Sequence, residues 1–247
     1  MNILEAILNL SRCEDFSLTN TEENVNNIVS DEGKPLEKFV RASFCGRPDS
    51  EESENVSKDV FCYEGGVNNP PDAMIRNQGD AIEIKKIESK IGGIQLNSSL
   101  PKQKLFSSDK MITDDAKTCE NWESRDMLYV VGYVSNNNIR YLFFVYGDCI
   151  FRENQFYEDK FNAIKEALGS LDIEELDQTG NEYGTLKNVD GLNINTNMRL
   201  RPLNSFDNPL KIFSDIVKLE NEDNFSMFTI MRDAKYETFM PEIRREI

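Results

Sequence analysis

The stretch Pro71–Lys85 reads PDAMIRNQGDAIEIK and predicts a β-hairpin. Residues 72–76 suit an extended strand, and residues 81–85 form a second strand candidate with alternating polar and apolar side chains. Between them, residues 77–80 (Asn-Gln-Gly-Asp) are typical of a turn. The two strands therefore pair across a short connection.

This hairpin brings three charged side chains to one face. Closing it at Arg76 and Ala81 sets Asp72 opposite Lys85, with Glu83 diagonally beside them. Glu83 and Lys85 share a face because side chains alternate along a strand, and the two isoleucines of the second strand then point into a core. We therefore predict two carboxylates and one lysine in a single cluster.

Such a cluster suits hydrolysis of a phosphodiester. Oxygen ligands from Asp72 and Glu83, with the main-chain carbonyl of Ile84, fit Mg²⁺, which keeps several waters and takes a phosphate oxygen. The metal lowers the pKa of a bound water, and Lys85 orients or deprotonates that water. The alternative is a solvated surface cluster, because the spacing alone is a loose pattern.

Composition narrows the chemistry further. The chain of 247 residues contains no histidine, which excludes Ser-His-Asp and Cys-His catalysis as well as histidine metal sites. Its five cysteines show no C-x-x-C spacing and are expected to be reduced thiols. No apolar run is long enough to span a membrane, and the N-terminus lacks a signal-peptide pattern. A cytoplasmic protein is expected.

The charge distribution is uneven. The net charge is −16, whereas nucleic-acid binding usually requires a basic surface. Residues 81–112, however, carry six lysines against three acidic residues. One locally basic face on an acidic exterior is compatible with DNA binding.

The surrounding sequence indicates a mixed α/β fold. Residues 34–40 predict a helix with proline in its first turn, and residues 153–169 predict an amphipathic helix with Phe156, Phe161, Ile164 and Leu168 on one side. Residues 127–134 and 140–146 predict two apolar strands joined by an asparagine-rich turn. Helices interleaved with hairpins predict one domain over residues 1–247, a mixed central sheet flanked by helices. The hairpin region then covers about 68–90, and the C-terminal third provides a DNA-recognition subregion.

Beyond the hairpin, the polar sequence contains further candidates for DNA contact. Gln95 and Asn97 continue along the next predicted strand, and the segment after it carries Ser98, Lys102 and Lys104. Asn97, Ser98, Lys102 and Lys104 suit contacts to the DNA backbone or to base edges, and Gln95 is a candidate for an assisting role beside the cluster. An ordinary polar loop is the alternative.

Two arginines form a separate candidate. Arg199 and Arg201 are two residues apart and so share one face of an extended segment, where guanidinium groups can bind guanine bidentately. A surface strand edge is the competing interpretation.

The blocks NNPPD (68–72), GDAIEIKKIE (79–88) and LNSSLPKQKL (96–105) together resemble the PD-(D/E)xK superfamily. More narrowly, they resemble type II restriction endonucleases that cleave short GC-rich palindromes such as GGCC. The resemblance is sharp over about 68–105, weaker through residues 119–122 and the strand that follows, and faint elsewhere. It implies that Asp72 and Glu83 are metal ligands and Lys85 the catalytic lysine.

The resemblance also extends to other residues and to partners. Glu37 matches a glutamate often found on the first helix of such enzymes, although an ordinary surface acid is the plainer interpretation. Asp80 is an alternative first ligand, but its position favours a role in the turn. The family implies Mg²⁺, a homodimer on duplex DNA, and a cognate DNA methyltransferase as genetic partner.

Three hypotheses about function follow. The first is a site-specific endonuclease cutting a palindromic site. The second keeps the catalytic cluster in a repair or defence nuclease that recognises DNA structure. The third, from another class, is a non-enzymatic acidic DNA mimic, which has no need for a converging Asp72, Glu83 and Lys85. Metal-dependent cleavage separates the third hypothesis from the others.

Overall fold

The structure is a computed structural model, and it describes residues 1–18, 33–49, 53–65, 69–171, 176–178, 182–187, 189, 197–219 and 224–246. Asn68, the first residue of the sequence blocks quoted above, lies outside these ranges.

The helices of the described ranges lie before, between and after the strands. They are α1 (Ile3–Ser11), α2 (Lys34–Cys45), α3 (Ser53–Val60), α4 (Asp114–Thr118), α5 (Gly147–Ile150), α6 (Asn154–Gly169), α7 (Pro209–Ile212), α8 (Asp233–Tyr236) and α9 (Pro241–Arg244).

The strands alternate with these helices. They are β1 (Phe61–Glu64), β2 (Ala73–Ile75), β3 (Ala81–Ile87), β4 (Ile94–Asn97), β5 (Lys104–Phe106), β6 (Ser124–Ser135), β7 (Asn138–Tyr146), β8 (Leu176–Asp177), β9 (Gly184–Leu186), β10 (Met198–Leu200), β11 (Asn204–Phe206) and β12 (Ser226–Ile230).

A mixed sheet lies at the centre and confirms the predicted α/β class. Its strand order is β1-β2-β3-β6-β7-β12, with β5 paired to the start of β6. β3 runs parallel to β6 and β12 parallel to β7, whereas the remaining pairs are antiparallel. The predicted hairpin of β6 and β7 is present, and Asn136 and Asn137 at its turn both have positive φ, as a tight hairpin requires.

Each face of this sheet covers a separate apolar core. On one face, Ile82 and Ile84 of β3 pack with α1 and α2, as the alternation of the hairpin predicts. On the other face, Tyr129 and Val131 of β6 pack beneath β4, β5 and α4. Glu83 and Lys85 belong to this second face because they alternate with the isoleucines.

Strands of the C-terminal third form two smaller sheets, one of which includes β4. β11 pairs with β4, and β10, β9 and β8 form a three-stranded antiparallel sheet. The helix predicted at residues 153–169 is present as α6. None of its residues is fully buried, and Phe161 stacks on Tyr183 of the C-terminal third with ring centroids 5.0 Å apart.

No helix in the described ranges has the length and apolar character that crossing a membrane requires.

Candidate active site

Asp72, Glu83 and Lys85 meet at the end of the β2–β3 hairpin. Ala73 pairs with Ile82, which places Asp72 at the level of Glu83, and the Asp72 amide donates to the Ile82 carbonyl over 2.9 Å. Lys85 Nζ lies 2.6 Å from Glu83 Oε1. The Ile84 amide donates to Asp72 Oδ2 over 2.5 Å. The structure therefore brings together the three charged residues that the sequence grouped.

The predicted register of this hairpin was wrong by two residues. The Ile75 amide donates to the Asp80 carbonyl over 3.0 Å, so the hairpin closes at this pair and not at Arg76 and Ala81. Asp72 consequently lies at the level of Glu83, not of Lys85. A shift of two residues preserves the alternation of side chains, so all three charged groups still share one face.

The side chains of Glu120 and Arg125 set this register from outside the hairpin. Glu120 accepts the amides of Asn77 and Gln78 over 3.0 and 3.2 Å, and both turn residues have a φ of 59°. Arg125 donates from Nη1 to the Gly79 carbonyl over 2.7 Å and to the Ile75 carbonyl, and from Nη2 to Glu120 over 2.8 Å. We name this pair the turn clamp.

The surroundings of the cluster shift two of its pKa values. Burial and the nearby Glu83 carboxylate raise the pKa of Asp72 well above its usual value of 3.8, and Glu37 adds to the effect. Burial alone would lower the pKa of Lys85, but the carboxylates of Glu83, Asp72 and Glu37 outweigh it, and the net pKa is raised. Lys85 therefore remains an ammonium group at neutral pH.

Helix α2 brings Glu37 towards the cluster. Glu37 is half-buried, and its charge acts on both Asp72 and Lys85. Close packing of the helix on the sheet depends on Gly132 of β6, where an added Cβ would lie 2.6 Å from Leu36 Cδ2. Glu37 thus lies within electrostatic reach of Asp72 and Lys85.

The donor set of this site fits a hard divalent cation. Glu83 Oε2 is buried and has no hydrogen-bond partner in the described part of the chain, which is costly unless a cation or donor binds there. The Ile84 amide donates to Asp72, and the Ile84 carbonyl points from the same edge of β3. The described ranges hold no group of three or more His, Cys, Asp or Glu side chains arranged as metal ligands. A divalent cation held by two carboxylates and one carbonyl would therefore have further coordination positions for water and for a phosphate oxygen.

Asp80 has a different role from either one considered at the sequence level. Its side chain is 6% exposed, accepts the Tyr146 hydroxyl over 2.6 Å and forms an ion pair with Lys235 at 2.6 Å. Lys235 also binds Asp126 at 2.7 Å. Asp80 is thus an internal partner of a distant lysine rather than a metal ligand or a side-chain cap of the turn. No local sequence signal indicates a contact between residues 155 positions apart.

The predicted DNA-contact lysines both have carboxylate partners. Lys102 is 8% exposed and pairs with Asp109 at 2.9 Å, whereas Lys104 is about half exposed and pairs with Asp126 at 2.7 Å. Both line a pocket of about 690 Å³ between the segment after β4 and the start of α6. Lys104 is therefore the more accessible of the two for a phosphate.

The remaining predicted site residues lie on β4 or in segments that contact it. Gln95 and Asn97 are exposed on the outer side of that strand, and no described hydrogen bond or ion pair joins Gln95 to the cluster. Ser98 accepts hydrogen bonds from Arg201 Nε and Nη2 over 3.2 and 2.8 Å. Arg199 and Arg201 share one carboxylate partner, Glu182, so they do face the same side.

The whole chain is similar to known endonucleases. Over residues 1–247 it matches the sequence family described as NgoPII restriction endonuclease. A relative from Neisseria gonorrhoeae, named Type II restriction enzyme NgoPII, is 37% identical over 242 residues, which cover 97% of this chain and 86% of the relative. No solved structure matches the chain. The similarity extends well beyond the hairpin.

Proposed function

Since this chain belongs to the NgoPII restriction endonuclease family, we propose that it hydrolyses phosphodiester bonds of duplex DNA at a short palindromic sequence and requires Mg²⁺. The observation that carries the catalytic part is the buried, unpartnered Glu83 Oε2 beside Asp72 and Lys85. A non-enzymatic DNA mimic gains nothing from this arrangement, because burial of the carboxylates costs free energy.

Each residue of the site has a separate role in this proposal. Asp72, Glu83 and the Ile84 carbonyl would hold Mg²⁺, which supplies positive charge against the phosphate and a lowered pKa for a bound water. Lys85 keeps its proton, so it acts as a cation that orients the attacking water and donates to a phosphate oxygen. Glu37 assists from α2 by adding negative charge near Lys85.

The partners follow from the proposed substrate. A palindromic site has two-fold symmetry, so a homodimer places one active site on each strand. We expect this dimer in the cytoplasm, where it meets DNA, and a cognate DNA methyltransferase to protect the host sites. Lys104 near the phosphates, and Asn97, Ser98, Arg199 and Arg201 near the bases, are the proposed DNA contacts.

The test compares three site variants with a matched control. Asp72→Asn, Glu83→Gln and Lys85→Ala each remove a charge from the cluster, and we expect each to reduce cleavage of plasmid DNA at least about 100-fold. Glu88→Gln removes the same charge from a side chain that is 72% exposed, and it should cut normally. Normal cleavage by any folded site variant would remove that residue from the mechanism.

The ends of the cleaved fragments test the specificity. A digest of genomic DNA in Mg²⁺ should give ends that all share one short sequence, whereas chelator should stop the reaction. Ends without a common sequence would favour a nuclease that recognises DNA structure. No cleavage under any metal condition would contradict the catalytic proposal.

A further inference from the structure

Glu182 lies at the centre of a charged cluster that the catalytic proposal does not use. Its side chain is 8% exposed, although it carries a charge at the surface of the C-terminal third. Arg199 binds both of its carboxylate oxygens, through Nη2 to Oε1 and through Nε to Oε2 at 3.2 Å. Arg201 Nε lies 3.3 Å from Oε1. Two guanidinium groups therefore share one carboxylate, and the cluster has an excess positive charge.

The described contacts of this cluster leave donor groups of both arginines unused. The described contacts of Arg199 use Nε and Nη2, and those of Arg201 use the same two atoms for Glu182 and Ser98. The remaining Nη1 end of each guanidinium is a donor in a planar group. The two side chains are 58% and 43% exposed, so their outer ends are accessible.

Backbone and side-chain hydrogen bonds join the Glu182 cluster to neighbouring strands. Arg199 pairs with Thr185 across β9 and β10, and the Tyr183 amide donates to the Leu200 carbonyl over 2.9 Å. Arg201 reaches Ser98, which follows β4, and Asn204 of β11 donates to the Ser99 carbonyl over 3.0 Å. β4 is the next strand after the catalytic β3. The arginines are thus tied to the segment that follows the catalytic strand.

We propose that Glu182 is a positioning residue that holds Arg199 and Arg201 ready to read guanine in the DNA groove. Guanine presents two acceptors, O6 and N7, and a guanidinium held in one orientation can bind both. Without a partner, two long cationic side chains would repel each other and sample many rotamers, and ordering them would oppose binding. The inference rests on the proposed function, because it assigns the specificity of that same enzyme.

The proposal separates specific from non-specific binding. Glu182→Gln keeps the shape of the side chain but removes the charge that aligns both arginines. It also adds net positive charge, which strengthens attraction to any DNA backbone. We therefore expect discrimination between sequences to fall while affinity for unrelated DNA is kept or increased. A merely structural role would instead weaken binding to both kinds of DNA.

The experiment is a binding titration on two duplexes, with Ca²⁺ in place of Mg²⁺. One duplex carries the sequence found at the fragment ends, and the other has the same composition in scrambled order. We expect Glu182→Gln to reduce the ratio of the two dissociation constants at least about 10-fold, and Arg199→Ala and Arg201→Ala to weaken cognate binding about 5- to 150-fold. Glu182→Asp retains the charge and should keep more discrimination than Glu182→Gln.

Matched controls and contrary outcomes make the test decisive. Glu166→Gln removes the same charge from an exposed position on α6 and should leave the ratio unchanged. An unchanged ratio in Glu182→Gln, or equal losses on both duplexes, would overturn the inference while the wild-type enzyme still cuts and discriminates. Genomic fragment ends that share no sequence would instead overturn the proposed function, and the inference with it.

Discussion

At the scale of single residues, the buried carboxylate of Asp72 lowers the stability of the fold when it is ionised. Its carboxylate lies beside Glu83 in a buried position, and both effects raise its pKa. Between its usual pKa of 3.8 and this raised value, the folded protein binds a proton that the unfolded chain has released. Stability therefore falls as pH rises through this window, and in the absence of metal the ionised form is a net cost to the fold.

We predict that Asp72→Asn is inactive and yet more stable than the wild type. In chelator at pH 7.5, its melting temperature should be higher by roughly 2–4 °C, which corresponds to about 1 kcal/mol for a chain of this size. The difference should vanish below about pH 3.8, where both states of the wild type are protonated. Thermal melts at both pH values measure it. Asp159→Asn, at an exposed position of α6, should show no gain.

At the scale of elements, the turn clamp determines where the β2–β3 hairpin closes. Arg125 is fully buried and binds two carbonyls of the turn region, while Glu120 binds two of its amides. Asn77 and Gln78 adopt left-handed conformations that cost free energy in non-glycine residues. The clamp offsets that cost and fixes the register on which the position of Asp72 depends.

We predict that Glu120→Ala destabilises the protein by about 3–5 kcal/mol, because it leaves the buried Arg125 without its carboxylate. Urea denaturation measures the loss. Glu123→Ala removes a similar, exposed carboxylate three residues away and should change stability by less than about 0.5 kcal/mol. Equal effects of the two variants would show that the clamp contributes little.

The same elements show what the sequence could and could not predict. Alternation along β3 correctly separated Glu83 and Lys85 from the isoleucines, because that pattern is local. The hairpin register could not be predicted, since Glu120 and Arg125, more than 40 residues away, select the turn. Likewise, the sequence predicted that the lysine-rich segment contacts DNA, whereas in the fold Lys102 forms an ion pair with Asp109. The sequence therefore allowed us to predict features that depend on local periodicity. It did not allow us to predict ion pairs between residues that lie far apart in the chain.

At the scale of the whole molecule, a largely buried ion network joins the C-terminal segment to the β2–β3 hairpin. Lys235 of α8 binds Asp80, at the closing pair of the hairpin, and Asp126 of β6. Tyr146 donates to Asp80, and burial together with this carboxylate raises the pKa of its hydroxyl well above 10. Through Lys235, helix α8 therefore stabilises the β2–β3 hairpin at its closing pair.

The pH dependence of stability tests this network through Asp126. Burial alone would raise the pKa of Asp126, but hydrogen bonds from Lys104 and Lys235 outweigh it and hold the pKa below 3.8. A carboxylate with a lowered folded-state pKa stabilises the fold above its usual pKa. That contribution is lost as pH falls through the folded-state value.

We therefore predict that Asp126→Asn lowers the free energy of unfolding by about 1–2 kcal/mol at pH 7 and by progressively less below pH 3.8. Urea denaturation of both proteins from pH 7 downward gives the difference at each pH. Asp207→Asn removes a carboxylate that is 64% exposed in its pair with Lys211, and it should have little effect at any pH. A difference between Asp126→Asn and wild type that stays constant down to pH 3 would mean that packing, rather than the charge of Asp126, carries the contribution. Lys235 would then hold the hairpin through Asp80 alone.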